Sequence, residues 1–172
     1  YKLNIEGTTR VLEAARNHNI KHIVLASSAA VYGDNTNLPL SEDEPSSSLS
    51  PYAATKRMKE ILADLYTNAY ELPVTALRFF NVYGARQSPT SQYAAAIPIF
   101  VDKLLRGEQP VIYGDGSQTR DLIYIDDVVN AMLLASENPA SAGQTFNVCT
   151  GIELSIQKLV ETIIANVVPD TE

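Results

Sequence analysis

Hydrophobic periodicity switches repeatedly along this chain between the 3.6-residue repeat of a helix and short continuous apolar runs, and that alternation limits the possible folds more than any other feature. Leu3, Val11, Leu12 and Ala15 recur at helical spacing up to Asn17, and residues 22–27 then predict a short buried strand. Ser50 is a good N-cap, Pro51 suits the first helical position, and small or apolar residues keep the helical period through Ala69. Residues 74–80 predict a second buried strand, punctuated at its start by Pro73. A helix over 94–106, strands at 111–113 and 122–125, a helix over 126–136, a strand at 145–148 and a helix after Ser155 continue the alternation. Helices alternating with buried strands imply parallel pairing, so the expected fold class is α/β, a doubly wound parallel sheet whose ligands bind beyond the carboxyl ends of its strands.

Composition narrows the function. The 172 residues are 45% hydrophobic and 19% charged, enough apolar material for one core, so a single globular unit is expected. A net charge of -7 with no basic run speaks against nucleic-acid binding. Cys149 is the one cysteine, so neither an internal disulfide nor a thiolate metal cluster can form, and a reducing, cytoplasmic setting is expected. No apolar run approaches the roughly 20 residues that span a bilayer, and no signal peptide opens the chain, so no membrane partner is expected. His18 and His22 have no Cys or carboxylate at ligand spacing and read as surface residues; no metal is expected.

The long segment 28–50 is rich in Ser, Pro, Asn and acidic residues, the composition of a loop that carries function. At its end Tyr52 and Lys56 stand four apart in the first turns of a helix, on one face. A phenol is a poor base at neutral pH, but a nearby ammonium and the positive helix N-terminus both favour the phenolate. Ser28, directly after the first strand, is placed at the carboxyl edge, where its hydroxyl could bond the same substrate oxygen. Taken alone, Y-x-x-x-K is also simply how an amphipathic helix begins.

The surrounding residues carry a resemblance. Ser28-Ala29-Ala30-Val31-Tyr32-Gly33 followed by Ser50-Pro51-Tyr52-Ala53-Ala54-Thr55-Lys56 resembles the paired signatures of the extended short-chain dehydrogenases/reductases, the NAD-dependent epimerase/dehydratase family, and most of all its 4-epimerases of UDP-glucose and UDP-N-acetylhexosamines. Leu77-Arg78-Phe79-Phe80-Asn81-Val82-Tyr83-Gly84 and Gly114-Asp115-Gly116-Ser117-Gln118-Thr119-Arg120-Asp121 are similar to two further motifs of that family. The resemblance implies a partial Rossmann-type sheet with part of a smaller substrate-binding domain interleaved, and NAD as cofactor. It implies Ser28, Tyr52 and Lys56 as catalytic residues, with Asn4 of Asn4-Ile5-Glu6-Gly7-Thr8 joining Tyr52 and Lys56 around the cofactor. It implies Ser28, Asn81 and Arg120 for the UDP-sugar, Arg120 on the diphosphate. The Gly-x-Gly at 114–116 precedes a strand, not a helix, so it reads as a tight turn and not a dinucleotide fingerprint. Asp126 and Asp127 are explained by the helix dipole, and the acidic residues 41–45 read as a solvated loop.

Within the family, 4,6-dehydratases carry an Asp-Glu pair where this chain has Ala29 and Ala30, and decarboxylases keep a glutamate there. Alanine transfers no proton, which leaves hydride transfer assisted by Tyr52, the requirement of an isomerase acting at C4. Residues 91–98 resemble a stretch of epimerases for glucose, galactose or their N-acetylated forms without distinguishing them. Tyr1 opens on helix-like sequence, and the family's Gly-x-x-Gly-x-x-Gly turn and its C-terminal tail are not in these residues, so the chain is expected to be a middle portion, inert alone, with an unpaired apolar edge at its first strand. Resemblance further implies a homodimer through helices near 1–17 and 51–69. A dehydratase or decarboxylase, or a non-catalytic remnant acting as a binding module, are the alternative readings.

Overall fold

A computed structural model describes residues 1–90 and 95–167. They group into two compact units that alternate along the chain: Tyr1–Phe80 with Asp126–Val148, and Asn81–Ile125 with Cys149–Glu172. Apolar content alone suggested one core; each unit instead closes its own.

In the first unit a single wide helical turn, Lys2–Glu6, leads into helix α1 (Gly7–Asn17), which buries Thr8, Leu12 and Ala15 at helical spacing. Strand β1 (Ile23–Ser28) follows, then a 3-10 turn, Ala29–Tyr32. Helix α2 (Pro51–Tyr70) starts as its sequence dictates: the Ser50 hydroxyl accepts the Ala53 N–H at 3.1 Å, and Pro51 occupies the first turn, where its missing donor costs nothing. Strand β2 (Val74–Phe79) has five buried residues, the composition of a strand covered on both faces. Strand β6 (Thr145–Val148) completes a parallel sheet ordered β1-β2-β6, with Ser28 level with Phe79 and Phe79 level with Val148. The core beneath it joins Leu12, Leu25, Ala63, Tyr66, Leu72 and Val74, each fully buried aliphatic side chain contributing about 1.5–3 kcal/mol.

The predicted boundaries of these elements shift by a residue or so at each end. His22 departs from its reading as a surface residue. It is half-buried, and its Nε2 lies 2.9 Å from the hydroxyl of fully buried Thr75. Thr75 spends its own proton on the Ser141 carbonyl at 2.7 Å, so the imidazole Nε2 must donate.

The second unit contains the short strands β3 (Asn81–Tyr83), β4 (Thr119–Arg120), β5 (Leu122–Tyr124) and β7 (Leu154–Ser155), with helices α3 (Ala96–Leu105) and α5 (Ile156–Val167). Strands β3 and β5 pair in parallel, β4 and β7 antiparallel, and none of these partnerships follows from periodicity. Phe100 of α3 packs with Leu159, Val160 and Ile163 of α5. Gly84 admits no side chain, since a Cβ would lie 2.5 Å from the Ile125 Cγ2. Helix α4 (Ile125–Glu137) begins at the last residue of this unit and carries Asp126 and Asp127 in its first turn.

The strand expected at 111–113 does not form. Pro110 lacks an N–H, Gly114 turns the chain at φ +82°, and the Gln118 amide nitrogen, not a neighbouring strand, donates to the Tyr113 carbonyl at 2.8 Å. The Gly114–Gly116 segment is the tight turn its sequence suggests: both glycines have positive φ, and the Asp115 carboxylate accepts the Ser117 N–H and hydroxyl. Of residues 91–98, positions 91–94 lie outside the described residues. No helix among the described residues is long and apolar enough to cross a membrane.

Candidate active site

Ser28 ends β1, at the carboxyl edge of the parallel sheet where ligands of such folds bind. Its hydroxyl accepts the Ala30 N–H at 3.2 Å and still has a proton to offer. Tyr52 and Lys56 occupy the first two turns of α2, and Tyr52 is 52% exposed. The Lys56 ammonium stands 5.5 Å from the Tyr52 ring centroid, within the reach of a cation–π attraction. Asn4 donates from its amide to the Thr55 hydroxyl at 2.9 Å, which ties the wide first turn to the helix between Tyr52 and Lys56. These four residues of the predicted set are thus gathered on one unit, three of them about the start of α2.

Among the described residues strand β1 lies at one end of the sheet, and the Ile23 N–H points inward to the Pro73 carbonyl, so the alternation of a parallel ladder turns the Ala26 carbonyl away from β2. The ammonium groups of Lys56 and Lys59 both donate to it, at 3.1 and 3.0 Å. Two ammonium groups thus meet β1 at this one outward carbonyl. Burial pushes the Lys56 ammonium down from its ordinary value; for Lys59, burial and then the Lys56 charge act in the same direction.

A second group of residues went unnoticed in the sequence. Glu60 is fully buried on α2, at the same face as Tyr52 and Lys56, and takes Nε and Nη2 of Arg78 on its two oxygens at 2.9 and 3.0 Å. Burial pushes its carboxyl up, but hydrogen bonds from Arg78, Ser27 and Arg57 outweigh that and hold it below the ordinary value. The signal was present: an arginine inside the apolar run 74–80 must find a buried partner. The acidic loop is also more than solvated surface. The Glu42 carboxylate accepts the Asn147 N–H at 2.8 Å, and the Glu44 carboxylate accepts the side-chain amide of Asn35 at 2.9 Å.

In the second unit, Asn81 and Arg120 line one cavity of about 460 Å³ together with Phe100, Lys103, Tyr113 and Gln118. Asn81 donates from its amide to the Asp121 carbonyl at 2.9 Å, which leaves its side-chain oxygen and one N–H available. Arg120 spends one N–H on the Thr119 carbonyl at 2.6 Å and keeps its remaining donors. Asp121 is structural: its carboxylate accepts the Thr150 N–H and hydroxyl and the Gly151 N–H, at 2.7–2.9 Å.

A Rossmann-type parallel sheet with a Ser at its carboxyl edge and a Tyr-x-x-x-Lys helix start beside it defines a short-chain dehydrogenase/reductase half-domain. Residues 1–149 match the NAD dependent epimerase/dehydratase family, and the chain belongs to that family. It is 44% identical over 167 residues to a UDP-glucose 4-epimerase of Mycolicibacterium smegmatis, covering 96% of this chain and 52% of the relative. Among solved structures it resembles a UDP-N-acetylglucosamine 4-epimerase from Methanobrevibacter ruminantium M1 in complex with UDP-N-acetylmuramic acid, with a TM-score of 0.93, 42% identity, and coverage of 99% of this chain and 55% of the other. It also resembles a UDP-glucuronic acid 4-epimerase from Bacillus cereus in complex with UDP-glucuronic acid and NAD, with a TM-score of 0.85, 32% identity, and coverage of 95% and 51%. The chain spans about half the length of the relatives it matches. The family's cofactor is NAD.

Proposed function

We propose that these residues form the reaction half-site of a nucleotide-sugar 4-epimerase that interconverts UDP-glucose and UDP-galactose. The observation that carries the reading is the exposed Tyr52 with the Lys56 ammonium against its ring, together with alanines at 29 and 30 where elimination chemistry would need acids. The donor set fits the nicotinamide-ribose end of NAD: a half-buried ammonium, a phenol hydroxyl and, one turn away, the Asn4 amide. Lys56 and Tyr52 would hold that ribose, and NAD, when bound, supplies reversible hydride acceptance at the sugar C4.

Tyr52 takes the proton of the C4 hydroxyl as hydride leaves that carbon, and returns it when hydride comes back on the opposite face of the 4-keto sugar. Ser28 donates a hydrogen bond to the same oxygen and steadies the charge that develops there. Lys56 holds its ammonium against the Tyr52 ring and keeps the phenol in place beside the cofactor ribose. Asn81 and Arg120 take the diphosphate, Arg120 through its free guanidinium donors. The 172 residues hold no Gly-x-x-Gly-x-x-Gly turn for the cofactor pyrophosphate, so this chain on its own is expected to be inert.

Leu3, Val11, Ile61 and Leu65 are exposed on the wide turn, α1 and α2, which supports self-association through those helices into a homodimer. A cytoplasmic setting accords with the single cysteine. The test of function is conversion of UDP-glucose to UDP-galactose with added NAD by the full-length protein, compared with Tyr52→Phe. A loss of about 10²–10⁴-fold is expected. An undiminished rate in the variant would remove Tyr52 as the base, and no conversion of any UDP-sugar by the unaltered protein would remove the epimerase.

A further inference from the structure

The ion pair Glu60–Arg78 takes no part in the proton transfer above, yet it joins the elements that carry it. From Glu60 the bonds run to Ser27, the residue before Ser28, at 2.6 Å, and to Arg57 of the same helix at 2.8 Å. From Arg78, Nη1 donates to the Tyr32 hydroxyl at 2.7 Å and to the Glu42 carbonyl at 3.1 Å. Tyr32, 1% exposed, passes its proton to the Asn147 side-chain oxygen at 2.7 Å. Asn147 in turn donates its N–H to the Glu42 carboxylate and its side-chain amide to the Leu40 carbonyl, at 2.8 and 3.0 Å. Strand β1, the turn Ala29–Tyr32, the acidic loop, helix α2 and strands β2 and β6 are thus all tied to one guanidinium and one carboxylate.

Stability does not account for such a device. Two charges brought out of water recover about what they lose, and apolar residues of similar volume commonly serve the fold as well or better. What an apolar pair cannot do is hold Ser27, Tyr32 and the Glu42 carbonyl in fixed directions at once. Glu60 also lies one and two helical turns from Lys56 and Tyr52 on the same face, so its bond to Ser27 sets the register between the helix bearing Tyr52 and the strand end bearing Ser28.

We propose that Arg78, held by Glu60, is a positioning residue for the reaction: through Ser27 and Tyr32 it fixes Ser28 and the acidic loop against the start of α2. The inference rests on the assignment of Ser28 and Tyr52 as the reacting pair. It is separated from a purely structural role by the double substitution Glu60→Met/Arg78→Leu, which removes both charges at once so that neither is left buried without its counter-charge, and by Tyr32→Phe, which removes only the hydroxyl.

Hydrogen exchange of this chain is the first readout. The amides of Ala30, Gly33, Ser47 and Asn147, whose acceptors are Ser28, Ala30, Val31 and Glu42, should exchange about five- to tenfold faster in the double variant. The β1–β2 ladder should keep its protection, as should the melting temperature. Tyr32→Phe should speed exchange at Ser47 and Asn147, and this variant decides the matter if the double variant fails to fold. Unchanged exchange at these amides, or a loss spread equally over the ladder, would overturn the proposal. In full-length protein the double variant should lower kcat about tenfold with KM nearly kept, the pattern of a misplaced reacting group and not of lost binding; an unchanged kcat would likewise overturn it. Absence of turnover in unaltered protein would remove the epimerase reading instead, and the exchange pattern would still decide whether Arg78 orders these segments.

Discussion

Replacing Gly33 by alanine tests whether the motif at 28–33 is held by backbone geometry or merely by its side chains. Gly33 caps the 3-10 turn at φ +66°, ψ -128°, where an L side chain is strained by about 1–3 kcal/mol. A Cβ built there lies 2.1 Å from the Ser47 carbonyl oxygen and 3.2 Å from its carbon, so backbone and not a flexible side chain must give way. The segment at Ser47 is pinned by its own N–H to the Val31 carbonyl at 2.9 Å, and moving it sacrifices that bond, worth about 0.5–1.5 kcal/mol. Together the two effects predict a loss of about 1.5–4.5 kcal/mol for Gly33→Ala. Urea unfolding followed by circular dichroism measures it at constant slope, and the Ser47 amide should lose its exchange protection. A loss under about 0.5 kcal/mol, the range of an inconsequential surface change, would refute the reasoning.

Acid should expose the Glu60 pair: its carboxyl is held below the ordinary 4.5, so its stabilisation is complete above that value and is lost as pH falls through the folded value. Melting temperatures recorded from pH 6 downward should therefore fall more steeply in the unaltered chain than in Glu60→Met/Arg78→Leu. Burial pushes the His22 imidazole below 6.5, so stability should rise with pH across the window just under 6.5; an equally steep rise in His22→Gln would show that another group is responsible. Lys59→Met should raise the melting temperature at neutral pH, because it removes a half-buried ammonium repelled by Lys56 while Lys56 keeps the Ala26 carbonyl bonded; a lower melting temperature would contradict this. Ile61→Glu on the exposed face of α2 should shift sedimentation of the full-length protein toward monomer, and an unchanged dimer would place the interface elsewhere.

How much of this was legible in the sequence depends on whether the cause was local. Helix α2 could be read nearly to the residue, because Ser50 caps its own N-terminus, Pro51 suits the first turn and the apolar stripe is a property of consecutive residues. Strands β1 and β2 were legible because their residues form short continuous apolar runs, the pattern of strands in a parallel sheet. Tyr52 beside Lys56 was legible for the same reason, since a helix alone brings positions four apart together.

Only the tertiary structure decided the rest. Whether an extended run becomes a strand depends on a partner far away: β3 finds β5 some 40 residues on, while 111–113 find none among the described residues and stay irregular. That the described residues of each unit close a core of their own follows from which apolar faces meet, as Leu12 and Val74 join one cluster and Phe100 and Leu159 another. The bonds from Arg78 to Glu60, Tyr32 and Glu42 join positions 18, 46 and 36 apart. The sequence by itself set the helices and the placing of Lys56 beside Tyr52, because both arise within a turn or two of chain; the strand partnerships and the network around Arg78 and Glu60 exist only once distant segments have folded against each other.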